Sequence, residues 1–360
     1  MKKRGLSEVV TTLILVLLVL VAIAIVWVVI SNLIRDKGND IGASTFEVSM
    51  AVKTVEPSSN PEKVLVRIER NVGGGDLQGI NIILSDGVKS YTHEERAELL
   101  DEGEETTYDI SKGGLGAITK VSIRPVGGSE GNEKVGEVVG ERELSYEQSV
   151  KSLGGLVAWW KLDGDAKDSS ESVPSHDGTN NGATFVDEGQ VGKAANFDGL
   201  AQIITVPDHN DLELISSKTF ALWFKAPIAT PNEAIFGKDG LNQRAYFLRW
   251  DSTNSNRLRF LSMNPAGTLS GAITSTSNDF TNWHHIAIVF DTSTSTSKMY
   301  IDGNFDATGT YFLPSQVTSN LYIGGGYGGG QTFDSTIDEL MIFNKALTAD
   351  EVKSIYELTK

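Results

Sequence analysis

Asn282-Trp283-His284-His285-Ile286-Ala287-Ile288-Val289-Phe290-Asp291 and its counterpart Thr219-Phe220-Ala221-Leu222-Trp223-Phe224-Lys225 decide the fold class of this chain. Both are short runs dense in aromatic and β-branched residues, the composition of strands rather than helices. Outward from them the pattern repeats in Leu156-Val157-Ala158-Trp159-Trp160-Lys161-Leu162-Asp163, Ala195-Asn196-Phe197-Asp198-Gly199, Met299-Tyr300-Ile301-Asp302-Gly303, Leu321-Tyr322-Ile323-Gly324-Gly325 and Ile337-Asp338-Glu339-Leu340-Met341-Ile342-Phe343. About a dozen such runs, broken about every 8–12 residues by Gly, Asn and Asp, predict a two-sheet antiparallel sandwich over residues 156–360. Helix is expected only at the end, where Thr348-Ala349-Asp350-Glu351 has the spacing of a capping box ahead of Val352, Ile355 and Tyr356.

Taken in that order, these segments resemble the laminin-G-like, concanavalin A-like jelly-roll family along almost the whole of residues 156–360. Trp159, Trp160, Trp223 and Trp283 read as core aromatics in strands. His284 and His285 are adjacent in a strand, so they point to opposite faces and do not easily share one ion. Gly324-Gly325-Gly326-Tyr327-Gly328-Gly329-Gly330 has no lysine with which to hold a phosphate, and Tyr327 at its tip is a candidate for stacking on a sugar.

The resemblance implies a Ca2+ ion in the loop Asp168 to Asp177, completed by Asp338 of the Ile-Asp-Glu segment. Oxygen-rich loops suit this hard cation. The loop here is longer than the family's and lacks the glycine after Ser169-Ser170, and a solvated acidic turn is the competing reading. Glycosidases on this architecture need two carboxylates across a sugar ring. The Glu-x-Asp-x-x-Glu strand that supplies them in one large family is absent, and no Ser/His/Asp set stands at recognisable spacing. A binding module is expected, not an enzyme.

Residues 44–145 alternate apolar and polar positions, as in Phe46, Val48, Met50, Val52 and again in Val64, Val66, Ile68. Period two marks strands with one buried face. Further candidates at 79–84, 89–93, 106–110, 118–124 and 134–139, with a loop at 127–133, predict an immunoglobulin-like β-sandwich. Gly73-Gly74-Gly75 is a turn, and His93-Glu94-Glu95-Arg96 a charged loop without the second histidine of a zincin helix. Residues 146–155, ending in Gly154-Gly155, read as a linker.

At the front, Lys2-Lys3-Arg4-Gly5-Leu6-Ser7-Glu8 leads into an uncharged block from Val9 to Ile30. As a helix at about 1.5 Å per residue it is long enough for the roughly 30 Å apolar core of a bilayer. The basic triplet places the N-terminus in the cytoplasm and the rest of the chain outside. The far end of the block lacks the small-residue cleavage site of a secretory signal. The order of basic residues, glycine and helix resembles the class III signal of archaeal type IV pilins and archaellins. That resemblance implies a leader of residues 1–5 removed by a prepilin peptidase between Gly5 and Leu6, a hydrophobic helix over 6–35, and a β-sandwich head behind it. Glu8 stands where many archaeal pilins carry proline, and it is a candidate subunit contact.

The chain has 47 acidic and 31 basic residues, a net of −16 that becomes −19 if Lys2, Lys3 and Arg4 leave with the leader. This argues against nucleic-acid binding. There is no cysteine, which removes thiol catalysis and cysteine-ligated metals. The expectation is a pilin-like subunit of a cell-surface filament, membrane-inserted before assembly, built from copies of itself and displaying the jelly roll to a glycan or surface ligand. A monomeric membrane-anchored lectin-like receptor and a glycan-acting hydrolase are the alternatives.

Overall fold

The structure, a computed structural model, describes residues 48–75, 77–129, 132–226, 232–240, 244–251, 256–264, 268–310, 316–326 and 333–360. The expected apolar helix over 6–35, with Gly5, Leu6 and Glu8, and the loop residue Tyr327 lie outside the described residues. Among the described residues no helix is long and apolar enough to cross a membrane.

Among the described residues, the part of the chain before residue 145 folds into eight strands: β1 (Met50–Pro57), β2 (Lys63–Arg70), β3 (Gly79–Ser85), β4 (Ser90–Glu95), β5 (Glu105–Ser111), β6 (Lys120–Ser129), β7 (Asn132–Val135) and β8 (Gly140–Glu143). One sheet runs β1-β2-β5; the other runs β4-β3-β6, with β7 and β8 both on β6. Val64, Val66 and Ile68 of β2 and Ile80, Ile82 and Leu84 of β3 are fully buried between them, as their period-two spacing requires. The expected strand over 134–139 and the loop over 127–133 are instead a hairpin arm, β6–β7, followed by β8. β6 pairs with β8 through Lys120–Ile123 and with β7 through Val126–Ser129. The partner changes at Pro125, which has no N–H to give to a ladder.

Residues 146–155, read as a linker, contain helix α1 (Tyr146–Ser152). Ser145 caps it and Gln148 returns the bond in a capping box, a signal present in the sequence as Ser-x-x-Gln. Gly154 and Gly155, with φ of 74° and 73°, turn the chain into the distal sandwich.

That sandwich holds β9 (Leu156–Trp160), β10 (Thr179–Asn181), β11 (Thr184–Val186), β12 (Ala194–Asp198), β13 (Ile203–Val206), β14 (Lys218–Lys225), β15 (Ala234–Lys238), β16 (Tyr246–Trp250), β17 (Leu258–Met263), β18 (Leu269–Thr274), β19 (His284–Asp291), β20 (Thr296–Ile301), β21 (Asn304–Thr310), β22 (Leu321–Ile323) and β23 (Asp334–Phe343). One sheet runs β10-β13-β22-β15-β16-β17-β18, the other β11-β12-β23-β14-β19-β20-β21 with β9 on β23. Trp160, Phe197, Phe220, Phe224, Phe236 and Phe260 pack between them. Helix α2 (Ala349–Thr359) closes the chain, and its capping box joins Thr348 and Glu351 as the sequence predicts.

A second apolar layer lies outside the β9–β23–β14–β19–β20 face. There Trp159, Ala221, Val289, Tyr300, Met341 and Phe343 meet Val352 and Ile355 of α2, Val150 of α1, and Ala117 of the first sandwich. The loop ahead of β6 is wedged against both helices: Ala117 N–H donates to Ser354 Oγ at 2.9 Å and Ile118 N–H to Ser152 Oγ at 2.8 Å. A Cβ on Gly116 would stand 2.7 Å from that of Ser354, so the close approach requires glycine.

Candidate functional site

Three groups of polar side chains lie where strands of the distal sandwich end or bend. The first is the loop after β9. Asp168 Oδ1 accepts from the N–H groups of Trp159 and Ser170, both at 2.9 Å. Its Oδ2 accepts from Ser172 Oγ at 3.1 Å and His176 N–H at 2.9 Å. Four donors occupy the roughly four lone-pair sites of a carboxylate. Asp177 is exposed, and its Oδ1 accepts from Asp168 N–H at 3.0 Å and Ser175 Oγ at 2.9 Å. Asp168 and Asp177 therefore hold the loop in shape.

Asp338, the third residue expected at a calcium, is buried on β23. Its Oδ2 accepts from Val191 N–H at 2.9 Å, while Oδ1 has no hydrogen-bond partner. Burial, with the charge of Asp163, pushes its carboxyl up to about 7. Glu339 follows in the left-handed region at φ 54° and turns to the other side of the strand, where Tyr146 Oη and Trp159 Nε1 donate to its Oε2 at 2.8 and 2.5 Å. Burial and the neighbouring Asp338 push it up to about 8. Both carboxyls are sealed from solvent, so they do not face a cleft that a sugar ring could enter.

The second group is one that the sequence reading missed. His209 caps the 3-10 turn Asn210–Leu212 after β13, and Asp211 follows it in that turn. His176 reaches them from the first loop, its ring centroid 4.9 Å from that of His209. Burial lowers the pKa of His176 although the charge of Asp168 opposes the shift. Among the described residues, His176, His209 and Asp211 are the group of three or more such side chains whose ligand atoms converge, all within 4.8 Å of one another. The side chains of Asp168, Asp177 and Asp338, expected at a calcium, do not converge in this way. The signal was in the sequence only as isolated letters, 33 positions apart for His176 and His209.

The third group is the histidine pair. His284 Nδ1 lies 2.8 Å from Asp302 Oδ2, and that hydrogen bond raises its pKa. His285 points inward between Trp223 and Tyr356, with neither ring nitrogen hydrogen-bonded, and burial lowers it to about 4. The opposed directions expected for adjacent strand residues are observed. Trp283, expected in the core, is only half-buried just ahead of β19 and lies under Lys225 Nζ at 4.9 Å. Its neighbours Thr281 and Asn282 are exposed, so the strand enters the core only at His285.

With this geometry in view, residues 197–353 match a laminin-G-like family model described as the concanavalin A-like lectin/glucanases superfamily. The distal sandwich is a concanavalin A-like jelly roll. No curated protein sequence matches the chain. Among solved structures it is similar to the binding domain of Paraclostridial Mosquitocidal Protein 1, at 18% identity and TM-score 0.46 over 56% of this chain and 52% of that one. It is also similar to domain 4 of AbnA, a GH43 extracellular arabinanase from Geobacillus stearothermophilus in complex with arabinotriose, at 23% identity and TM-score 0.43 over 57% and 98%. A third is the botulinum neurotoxin serotype D binding domain, at 14% identity and TM-score 0.45 over 56% and 51%. The matched part spans about half the length of the two toxin binding domains.

Proposed function

We propose that the protein is a pilin-like subunit of an archaeal type IV surface filament whose jelly roll binds carbohydrate. The observation that carries the display part is the joint between the sandwiches. The jelly roll is not tethered by a loose linker: α1, α2 and the loop around Ala117 bury one apolar cluster between the two sandwiches. Lys112 of the first sandwich enters that joint and reaches Glu351 of α2 at 3.3 Å. A distal head held in this way moves with its stalk, which suits a domain presented at a distance from the cell.

The sandwich nearer the membrane has the strand order of an immunoglobulin-type fold, three strands against a second sheet built on β3 and β6. In this reading it forms the filament sheath, with Leu6 to Arg35 as the helical core after cleavage between Gly5 and Leu6, and Glu8 as a contact to the next subunit. Carbohydrate binding rests on the superfamily matched over residues 197–353, and the Gly-rich segment carrying Tyr327 is the candidate sugar platform. Calcium at Asp168, Asp177 and Asp338 forms no part of this reading, because the oxygens of Asp168 are committed to its own loop. Binding is favoured over hydrolysis because the paired acidic side chains with raised pKa values, Asp338 and Glu339, are sealed in the core.

N-terminal sequencing of protein taken from native cells tests the first half: a chain starting at Leu6 in shed fibres is expected, and an intact Met1 in the membrane fraction overturns it in favour of an anchored receptor. A glycan array probed with the full chain in detergent tests the second half. Selective binding to a subset of glycans is expected, and uniform background removes the lectin role.

A further inference from the structure

We propose that His176, His209 and Asp211 form a binding site for a divalent transition-metal ion, with zinc the best-suited occupant. His176 Nε2 lies 3.6 Å from Asp211 Oδ2, and His209 Nδ1 lies 3.2 Å from the same oxygen. Zinc holds nitrogen and oxygen ligands at about 2.0–2.2 Å in a tetrahedron, whose edges are then about 3.3–3.6 Å. The two observed separations lie close to that edge length without rearrangement of the main chain.

A second observation points to a ligand independently of the convergence. His176 is 3% exposed, and its Nε2 is buried with no hydrogen-bond partner, since 3.6 Å to Asp211 is too long for a hydrogen bond. Buried polar atoms are nearly always satisfied. A metal ion between the three side chains would give this nitrogen the partner it lacks. The main chain that carries the ring is fixed on both sides: the backbone N–H of His176 donates to Asp168 Oδ2 at 2.9 Å, and its backbone carbonyl accepts from Trp160 Nε1 at 2.9 Å. The extra length of the Asp168 to Asp177 loop thus has a use: it carries His176 across to the turn after β13.

The donor set selects the ion. Two imidazoles and one carboxylate suit zinc and its neighbours in the first transition row, whereas calcium takes oxygen ligands only. His209 Nδ1 accepts from the backbone N–H of Asp211 at 3.2 Å, a bond that coordination of an ion by this nitrogen replaces. The charges around the site are mixed. Asp168 lies near His176, Lys218 Nζ donates to the main-chain oxygen of Asp211 at 2.6 Å, and Lys238 Nζ lies 3.3 Å from Glu213 at the end of the turn. The Asp211 and His209 side chains are 43% and 34% exposed, so an ion enters from solvent and its fourth position is left to water or to an oxygen of a bound molecule.

Calorimetric titration of Zn2+ into the full chain, free of any affinity tag and held in detergent, tests the assignment. One saturable equivalent is expected, retained in excess Ca2+. His209→Ala and Asp211→Ala should each weaken it by more than the roughly 10–100-fold that loss of an outer partner costs, while His284→Ala, at the separate Asp302 pair, should leave it unchanged. Co2+ in place of Zn2+ should give visible absorption that His176→Gln abolishes. Because His176 is in the core, the two half-exposed positions carry the test if that variant fails to fold. No saturable Zn2+ binding, unchanged binding in both His209→Ala and Asp211→Ala, or displacement by equimolar Ca2+ would each overturn the proposal.

Discussion

Replacing Glu351 by Gln should loosen the two sandwiches from each other. Glu351 Oε1 receives Lys112 Nζ at 3.3 Å and Lys345 Nζ at 2.7 Å, and both ammonium groups also donate to Leu153 O, at 2.8 and 2.9 Å. Only 2% of the Lys112 side chain and 4% of the Glu351 side chain are exposed, so water does not replace a lost partner. Burial, and the charge of Lys345, hold the Lys112 ammonium below its ordinary pKa; on Glu351 burial is outweighed by the lysines, and its carboxyl lies below the ordinary value. Glutamine keeps the shape, but it has one acceptor where Glu351 uses two oxygens: with its oxygen on Thr348 N–H in the capping box, its NH2 faces the lysines, so the variant removes the charge and the lysines' acceptor together. Breaking one side of a buried pair costs about 3–5 kcal/mol. For a cooperative unit of this size that lowers the melting temperature by roughly 6–20 °C. Circular dichroism melts at pH 7 should show the drop, together with faster proteolysis between Gly154 and Gly155. Since the folded pKa of Glu351 is depressed, its contribution is present above the ordinary value of 4.5 and disappears as pH falls through the folded one, so the two melting curves should converge in acid. A melting temperature within about 2 °C of the parent at pH 7, or a Lys112→Met effect that is the same size with and without Glu351→Gln, would refute the coupling.

Asp338 has a folded pKa of about 7, above its ordinary 3.8, so the folded state holds the extra proton and stability falls as pH rises through 7. The urea midpoint of the parent should drop between pH 5.5 and 8.5, and Asp338→Asn should reduce that slope, leaving the share that Glu339, raised to about 8, contributes in the same sense; an unchanged slope contradicts the assignment. His285 behaves in the opposite sense, because its folded value of about 4 lies below the ordinary 6.5 and stability is lost as pH falls between them. His285→Phe, between Trp223 and Tyr356, should reduce acid sensitivity in that window, as read by melts at pH 4.5 and 7. Asp168→Ala removes the acceptor of four loop hydrogen bonds and should cost at least about 2 kcal/mol. Limited proteolysis near Val173, which is 96% exposed, should become faster, and an unaltered cleavage rate would show that the loop is held by something else.

The jelly roll was legible because its signal is redundant: many short aromatic runs each report the same strand-and-turn alternation, and β14, β19 and β23 fall where those runs stand. The capping box at Thr348 and Glu351 was legible because it is local. The same local signal at Ser145 and Gln148 passed unread, since a polar stretch ending in two glycines has the composition of a linker and only the burial of Val150 and Leu153 shows otherwise. The calcium expectation placed Asp168 and Asp338 together from family order, but which donors fill a carboxylate is decided by loop conformation. His176, His209 and Asp211 meet only because β13 pairs with β10 and so brings its following turn beside the loop after β9. No spacing in the chain encodes that distance.

The place of Glu351 in both the capping box and the lysine pair makes α2 more than a terminal cap. Without α1, α2 and the Ala117 loop, Ala221, Val289, Tyr300, Met341 and Phe343 would form an apolar patch on the outer face of the larger sheet. Patches of that kind on a lone domain invite association. The first sandwich thus completes the burial of the second: Ala117 packs on that cluster, and Lys112 satisfies the carboxylate that starts the covering helix. Uncoupling the sandwiches therefore exposes apolar surface on the jelly roll itself, which is why the two form one structural unit and why ligand tests belong on the whole chain.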